Sequence, residues 1–217
     1  MTYQADVSSF AAVPPVPGPQ DWADLARLVG GGQLADLFSA EVTAPPGWDP
    51  VFDLQGLQMV CASDRGPRNV AGGDARIVRL SSSDVPDMLD LVRRTEPGPF
   101  WARTIELGTY LGVRNKNGLV AMAGERLRPP GWVEISSVCT APEQRGRGHA
   151  AALVSALAGR AIVRGERPFL HVAADNAGAI ALYERLGFVT RRPVRFHGYR
   201  TPEEGVEGRS PSSRSSS

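Results

Sequence analysis

The sequence predicts an α/β fold built on a mixed sheet, with helices on both faces and a smaller α/β half-unit before it. Three observations carry this. Trp132 to Thr140 is rich in β-branched residues and bounded by Gly131 and Pro142, as a strand would be. Ala150 to Arg164 has Leu153/Leu157, Val154/Ala158 and Leu157/Ala161 at helical spacing, with Gly165 placed to stop it. Pro168 to Ala174 is a second strand that comes directly after, and it leads through Asp175 and Asn176, good N-cap residues, into a helix from Ala177 to Leu186 ended by Gly187. Alternating strands and helices of this kind imply parallel pairing, with helices distributed to both sides of the sheet.

Reading from the N-terminus, Val13 to Pro19 is too proline-rich for a helix or central strand. Asp21 to Leu28 reads as a short helix with Trp22, Leu25 and Leu28 on one side, ended by Gly30 to Gly32. Gln33 to Phe38 is expected to add a further helical turn or two. Val51 to Leu54 and Leu57 to Ala62 read as two strands joined at Gln55-Gly56. Asp64 to Asp74, with four glycine and proline residues, has a linker's composition. The expected organisation is therefore an N-terminal unit over 1–74, a main domain over 75–200, and a disordered Ser/Gly/Glu/Arg tail over 201–217.

Within the main domain, Ala75 to Leu80 is the first strand. Ser83 or Asp84 caps a helix running to about Arg94, with Pro86 tolerated in its first turn and Val85, Met88, Leu89 and Val92 facing inward. Pro97-Gly98-Pro99 breaks the chain, and Phe100 to Leu107 has room for one helical turn. Thr109 to Arg114, Leu119 to Leu127 and Trp132 to Thr140 form a meander, with Asn115-Lys116-Asn117-Gly118 as the first turn.

Composition excludes several classes of function. The chain has 217 residues, long enough for a core that needs no disulfide or metal. With 24 basic and 23 acidic residues it offers no global field for nucleic acid or a membrane surface. Its two cysteines, Cys61 and Cys139, sit in apolar strand-like runs and read as buried thiols. The three histidines, His149, His171 and His197, show no metal-ligand spacing, and no metal is expected. Neither a signal peptide nor a run of about 18 apolar residues occurs, so a cytoplasmic protein is expected. Oligomeric state is not legible.

The segment Glu143-Gln144-Arg145-Gly146-Arg147-Gly148-His149-Ala150 lies between a strand and a helix. Glycines there let a backbone pass close to a ligand, and the helix start aims free N–H groups outward. Adding the helix dipole and two arginines makes a cradle for an anionic phosphate group, although a ligand-free turn would have the same composition. No G-x-x-x-x-G-K-[S/T] pattern occurs. Gly146-x-Gly148-x-x-Ala151 matches a dinucleotide fingerprint formally, but Ala141 to Arg145 separate it from its strand, and too little chain remains for the long unit such a site opens.

Arg145-x-x-Gly148-x-Ala150 resembles the R/Q-x-x-G-x-G/A signature of the GNAT superfamily of acyl-CoA N-acyltransferases. Asn176, Ala179, Tyr183, Gly187 and Phe188 resemble the family's N-x-x-A-x-x-x-Y-x-x-x-G-F segment. The two motifs occur in the right order, and the likeness covers about residues 75 to 199, nearest to glycine N-acyltransferase-like C-terminal domains. The resemblance implies a GNAT fold and acetyl-CoA as cosubstrate. It implies that backbone N–H groups from Arg145, Gly146, Arg147, Gly148, His149 and Ala150 hold the pyrophosphate, while Val138, Cys139 and Thr140 run beside the pantetheine where two strands splay. Asn176 is implied to bond the pantetheine arm, although its place also suits a helix cap. Tyr183 matches the family's general acid.

The family's base is often a carboxylate on the strand before the loop, directly or through water. Here Glu134 lies on that strand and Glu125 on the one before. An even-length turn between them sets both carboxylates on one face, where like charges raise one pKa and suit it to deprotonate an ammonium. The alternative is a solvent-facing pair relieved by Arg126, Arg103 or water. Two functions are consistent with these residues: an N-acetyltransferase acting on a primary amine of a small molecule, amino acid or peptide, or a catalytically silent acyl-CoA-binding regulatory module.

Overall fold

A computed structural model describes residues 2–4, 6–38, 42–63 and 77–203. In chain order the elements are β1 (Phe10–Ala11), α1 (Pro19–Val29), β2 (Leu34–Phe38), β3 (Asp49–Cys61), β4 (Ile77–Arg79), α2 (Val85–Thr95), β5 (Tyr110–Asn115), β6 (Gly118–Glu125), β7 (Trp132–Thr140), α3 (His149–Val163), β8 (Arg167–Ala173), α4 (Ala177–Arg185) and β9 (Phe188–Arg200). This is a mixed α/β protein. Contacts divide the chain into two units, one comprising Tyr3–Ser9 and Leu54–Arg195, the other built from Phe10–Asp53 and the segment beginning at Phe196. The long strands β3 and β9 each contribute residues to both.

In the smaller unit β2 runs parallel to β1, pairing Asp36 with Phe10, and antiparallel to the end of β9, from Leu34↔Arg200 to Phe38↔Phe196. Leu34–Phe38 is thus a strand, where a helical turn or two was expected over 33–38. Ala35 and Leu37, two apart, are fully buried, which is the period of a strand. Trp22 and Leu25 of α1 pack on them with Trp48, whose ring meets Trp22 edge-on at 5.1 Å. The helix starts at Pro19, earlier than expected, because proline is tolerated in a first turn and Asp21 accepts a 2.8 Å hydrogen bond from the Gly18 N–H. Thr201, expected to open a disordered tail, is buried instead: its hydroxyl accepts from the Gln33 N–H at 3.0 Å. Residues 204–217 and the expected linker from 64 to 74 lie outside the described residues.

In the larger unit the strands run in the order β9-β3-β8-β7-β6-β5-β4. The expected meander is present, β4 to β7 being antiparallel, and the Asn115–Gly118 turn is closed by the Asn117 N–H on Asn115 Oδ1 at 2.8 Å. The β7-α3-β8 crossover returns parallel. One expectation fails here: β3 is a single strand, since Gly56 pairs with Ala173 and carries the ladder through the supposed Gln55-Gly56 joint.

Every residue from Leu119 to Glu125 of β6 is buried, so both faces of this strand are covered. Helices α2 and α3 each pack on β6 and β7 yet make little contact with each other, which puts them on opposite faces. The burial of Met88, Leu91, Leu153, Leu157, Ile135 and Leu170 below 2 % exposure gives this unit its core. That core takes in Ile135 of β7 and Leu170 of β8.

Candidate active site

Strands β7 and β8 pair only over Trp132↔Arg167, Val133↔Pro168 and Glu134↔Phe169. Beyond that point β7 continues to Thr140 and β8 to Ala173, with β7 still bonded to β6 and β8 still bonded to β3. The two strands therefore part, leaving a wedge lined by Ile135–Thr140 and Leu170–Ala173. The cause is local. Between Gly124↔Ser136 and Met122↔Cys139 two residues of β7 oppose one of β6, a bulge that turns the strand. Within it Ser137 adopts φ 52°, a left-handed conformation that a non-glycine residue enters only at some cost. Strain of this kind next to a cleft is typical of functional backbone.

At the far end of β7 the 3-10 turn Pro142–Gln144 leads into the glycine-rich loop. Gly146 and Gly148 sit at φ 76° and 77°, values that suit glycine and strain other residues. A Cβ at Gly146 would meet nothing within 4 Å, so what requires glycine there is conformation. Gly148 is the N-cap of α3, and the first intrahelical bond after it runs from the Ala152 N–H to the Gly148 carbonyl. Among the described residues, the N–H groups of Gly146 to Ala151 have no partner. The His149 Nδ1 is buried and likewise without a hydrogen bond. A run of unpaired donors at the start of a 15-residue helix, with Arg145 and Arg147 exposed beside it, fits an anionic group such as a pyrophosphate.

Helix α4 starts at Asn176, whose Oδ1 accepts from the Ala179 N–H at 3.1 Å. Its capping role is thereby realised. Tyr183 is buried against Phe188, with ring centroids 6.2 Å apart, and its hydroxyl accepts or donates no hydrogen bond among the described residues. Burial pushes the phenol up to about 12, which keeps it protonated as a proton donor must be. Cys139 is buried too, and burial pushes its thiol up to about 11, so it is no thiolate nucleophile. Val138 and Thr140 flank it, half-buried, along the wedge.

The two carboxylates do not form the expected like-charge pair. Glu125 pairs with Ile135, not Glu134, so the two glutamates leave opposite faces of the sheet. Glu125 is 1 % exposed and held by Arg164 at 2.6 Å, Arg128 at 2.8 Å and the Thr109 N–H at 3.2 Å. Glu134 is fully buried and held bidentately by Arg126, Nε to Oε2 at 2.9 Å and Nη2 to Oε1 at 2.8 Å. Its Oε1 also lies 2.9 Å from His171 Nδ1. Burial alone would raise the Glu134 pKa, but the Arg126 charge and the His171 and Arg126 hydrogen bonds outweigh it and hold it at about 2. A carboxylate so held is a poor base, the reverse of the expected raised value. Arg103, considered as a relieving cation, binds Glu106 and Asp6 instead.

This pairing has a testable consequence for stability. Because the folded pKa of Glu134 lies below its ordinary value, the stabilisation it gives is present above about pH 4.5 and is lost as pH falls towards 2. Glu134→Ala removes the carboxylate that holds the buried Arg126 guanidinium at two points, and breaking a buried pair in this way typically costs about 3–5 kcal/mol. Urea denaturation at neutral pH should show that loss, and the difference between wild type and variant should shrink in acid. An unchanged midpoint would show that the pair does not hold the sheet.

Sequence reasoning missed the rest of this cluster. His171 Nε2 lies 3.0 Å from Gln58 Nε2, and Gln58 Oε1 accepts from Arg191 Nη1 at 2.9 Å. Tyr110, 1 % exposed, is nearby, its phenol pushed up to about 12 by burial with the Ser137 hydroxyl beside it. The available signal was a lone histidine inside the apolar run Phe169-Leu170-His171-Val172, one strand away from a lone glutamate in Trp132-Val133-Glu134-Ile135. No group of three or more metal-ligating side chains occurs among the described residues, and no helix there is long and apolar enough to cross a membrane.

Known proteins share this fold. The family model for FR47-like proteins matches residues 110–197, the stretch that holds the wedge, the loop and Tyr183. The chain is similar to a crystal structure from Novosphingobium aromaticivorans DSM 12444 described as a GNAT-family acetyltransferase. Identity is 38 %, the TM-score is 0.78, and the match covers 90 % of this chain and 85 % of that one. A GCN5-related N-acetyltransferase from Kribbella flavida shares the fold at 16 % identity and TM-score 0.57, over 90 % and 79 % of the two chains. A GCN5-related N-acetyltransferase-like protein from Streptococcus suis does so at 18 % and 0.51, over 85 % and 70 %. The search of curated proteins found no match. The chain belongs to the GNAT family of acetyltransferases.

Proposed function

We propose that this protein is an N-acetyltransferase that moves the acetyl group of acetyl-CoA to a primary amine of a small molecule, amino acid or peptide. The observation that carries the proposal is the wedge between β7 and β8 running up to a loop of unpaired N–H groups. Acetyl-CoA supplies an activated acetyl thioester when bound. The N–H groups of Gly146 to Ala151, with Arg145 and Arg147, would hold its pyrophosphate. Val138, Cys139 and Thr140 would flank its pantetheine, and Asn176 would bond to the same arm with the lone pairs its cap leaves over. Next to the left-handed Ser137 of the bulge, a backbone N–H near Val138 would polarise the thioester carbonyl. Tyr183 would protonate the departing sulfur. Residues 1–74 are assigned no part in holding the cofactor.

The finer likeness to glycine N-acyltransferase-like C-terminal domains, a cytoplasmic location, and partners that include neither nucleic acid nor membrane belong to the same proposal. One observation favours the silent acyl-CoA-binding module instead: neither Glu125 nor Glu134 is available as a direct base. Thiol release from acetyl-CoA, measured with a panel of amines, separates the two. The enzyme reading expects release that depends on the amine. Binding without any amine-dependent release would decide for the module.

A further inference from the structure

Tyr110 of β5, Arg126 after β6, Glu134 of β7, His171 of β8, Gln58 of β3 and Arg191 of β9 form a line of polar side chains across six neighbouring strands. Register puts Glu134, Phe169, His171 and Gln58 on one face: Glu134 is opposite Phe169, His171 is two residues further along β8, and Gln58 is opposite His171. Most of this line is buried. Arg126 is 8 % exposed, Glu134 0 % and Gln58 7 %, and the His171 side chain is 5 % exposed. Such a line costs desolvation energy, and simple packing would be served as well by apolar residues. Its hydrogen bonds also have a direction. Arg191 donates to Gln58 Oε1, so the amide turns its NH₂ towards His171 Nε2, which must accept. Nδ1 then carries the ring proton and donates to Glu134 Oε1. The imidazole is held in one tautomer from both sides.

The position of that ring is as specific as its tautomer. His171 belongs to the part of β8 that has left β7, just past the last pair Glu134↔Phe169, yet its ring reaches back across the opening to the Glu134 carboxylate at 2.9 Å. It stands at the apex of the wedge. Phe169, edge-on at a centroid distance of 5.6 Å, fixes it from below. The charged and titratable groups that face it are Glu134 from β7, Arg126 behind Glu134, Arg191 behind Gln58, and the Tyr110 phenol further along the line.

We propose that His171 is the base that deprotonates the acceptor amine, with Glu134 as its positioning residue. The proposal rests on the acetyltransferase reading above. The attacking nitrogen displaces the Gln58 NH₂ from His171 Nε2. An N–H bond of the amine breaks, its electron pair stays on nitrogen, and the proton joins Nε2. The resulting imidazolium, +1, is balanced by the Glu134 carboxylate on its Nδ1–H side, and it returns the proton to water after the product leaves. Glu134 thus acts through histidine, and its buried ion pair with Arg126, a defect in a direct base, becomes the anchor of the pair.

Two measurements test this. The first needs no turnover: ¹⁵N spectra of the imidazoles in the unliganded protein, with His171 assigned by the signals lost in His171→Gln. A ring protonated at Nδ1, with the lone pair on Nε2, is expected. A ring protonated at Nε2, which leaves no lone pair there, overturns the proposal. The second is the pH dependence of kcat/KM for the amine. His171→Gln should lower it on the order of 10²–10⁴-fold, remove its acidic limb and leave acetyl-CoA affinity by calorimetry unchanged. Glu134→Gln should keep the limb but move it to lower pH, since the imidazolium loses its carboxylate. A His171→Gln enzyme with wild-type rate and limb overturns the proposal while leaving the acetyltransferase reading intact. A wild-type protein that neither binds nor turns over acetyl-CoA overturns that reading, and this one with it.

Discussion

Gly148→Val should abolish acetyl-CoA binding while leaving the fold in place. Gly148 combines φ 77° with the N-cap of α3, so its backbone sets both the direction of the loop and the aim of the first free N–H groups of the helix. Valine is β-branched and disfavours that conformation by about 1–3 kcal/mol. The loop would relieve the strain by rotating out of the left-handed region, which swings several donors away together. Because the pyrophosphate would be bound by backbone, no side chain replaces them. A loss of affinity on the order of 10²-fold or more is expected by calorimetry. The position is exposed, so the thermal midpoint should fall by little, whereas a core substitution of equal size would lower it much further. Arg145→Ala should weaken binding less than Gly148→Val, since it removes a charge and leaves the donors aimed. Unchanged affinity in Gly148→Val would remove the pyrophosphate assignment.

Tyr183→Phe should lower kcat at least about tenfold with little change in acetyl-CoA affinity. The substitution removes one oxygen and keeps the ring that packs on Phe188, so the core contact survives. What is lost is the proposed proton donor, a phenol that burial pushes up to about 12. The effect should appear as a kcat change, because a group that acts on the departing sulfur contributes in the transition state more than in the ground state. Among the described residues the hydroxyl has no hydrogen-bond partner, so none is orphaned there by its removal and stability should change little. A variant with wild-type kcat would leave sulfur protonation to solvent.

The limits of the sequence were set by register and by context. Helix and strand positions in the main domain were legible because their periods are local: Trp132–Thr140 matches its expectation residue for residue, and α3 and α4 shift by a residue at their ends. The loop glycines were legible for the same reason. The partnership of Glu125 and Glu134 was not, because the turn that joins β6 to β7 decides which face each side chain takes, and it sets Glu125 opposite Ile135 where an even-length turn would have put both carboxylates on one face. Gln33–Phe38 was misjudged because so short a segment suits either a strand or a helical turn, and its partner strand lies more than 150 residues away in the chain. His171 has no metal-ligand spacing to mark it, and nothing else in the apolar run around it signals a role. Its relation to Glu134 emerges only when β7 and β8 are set parallel, with Glu134 opposite Phe169.

We propose that the wedge between β7 and β8 and the loop at residues 145–150 are one acyl-CoA site. A crystal structure of the protein with coenzyme A tests this most directly. The pyrophosphate should lie on the N–H groups of Gly146 to Ala151. The pantetheine should pass between Ile135–Thr140 and Leu170–Ala173, with its sulfur near the Tyr183 hydroxyl. Coenzyme A bound elsewhere, with those N–H groups solvated and the two strands drawn together, would contradict it.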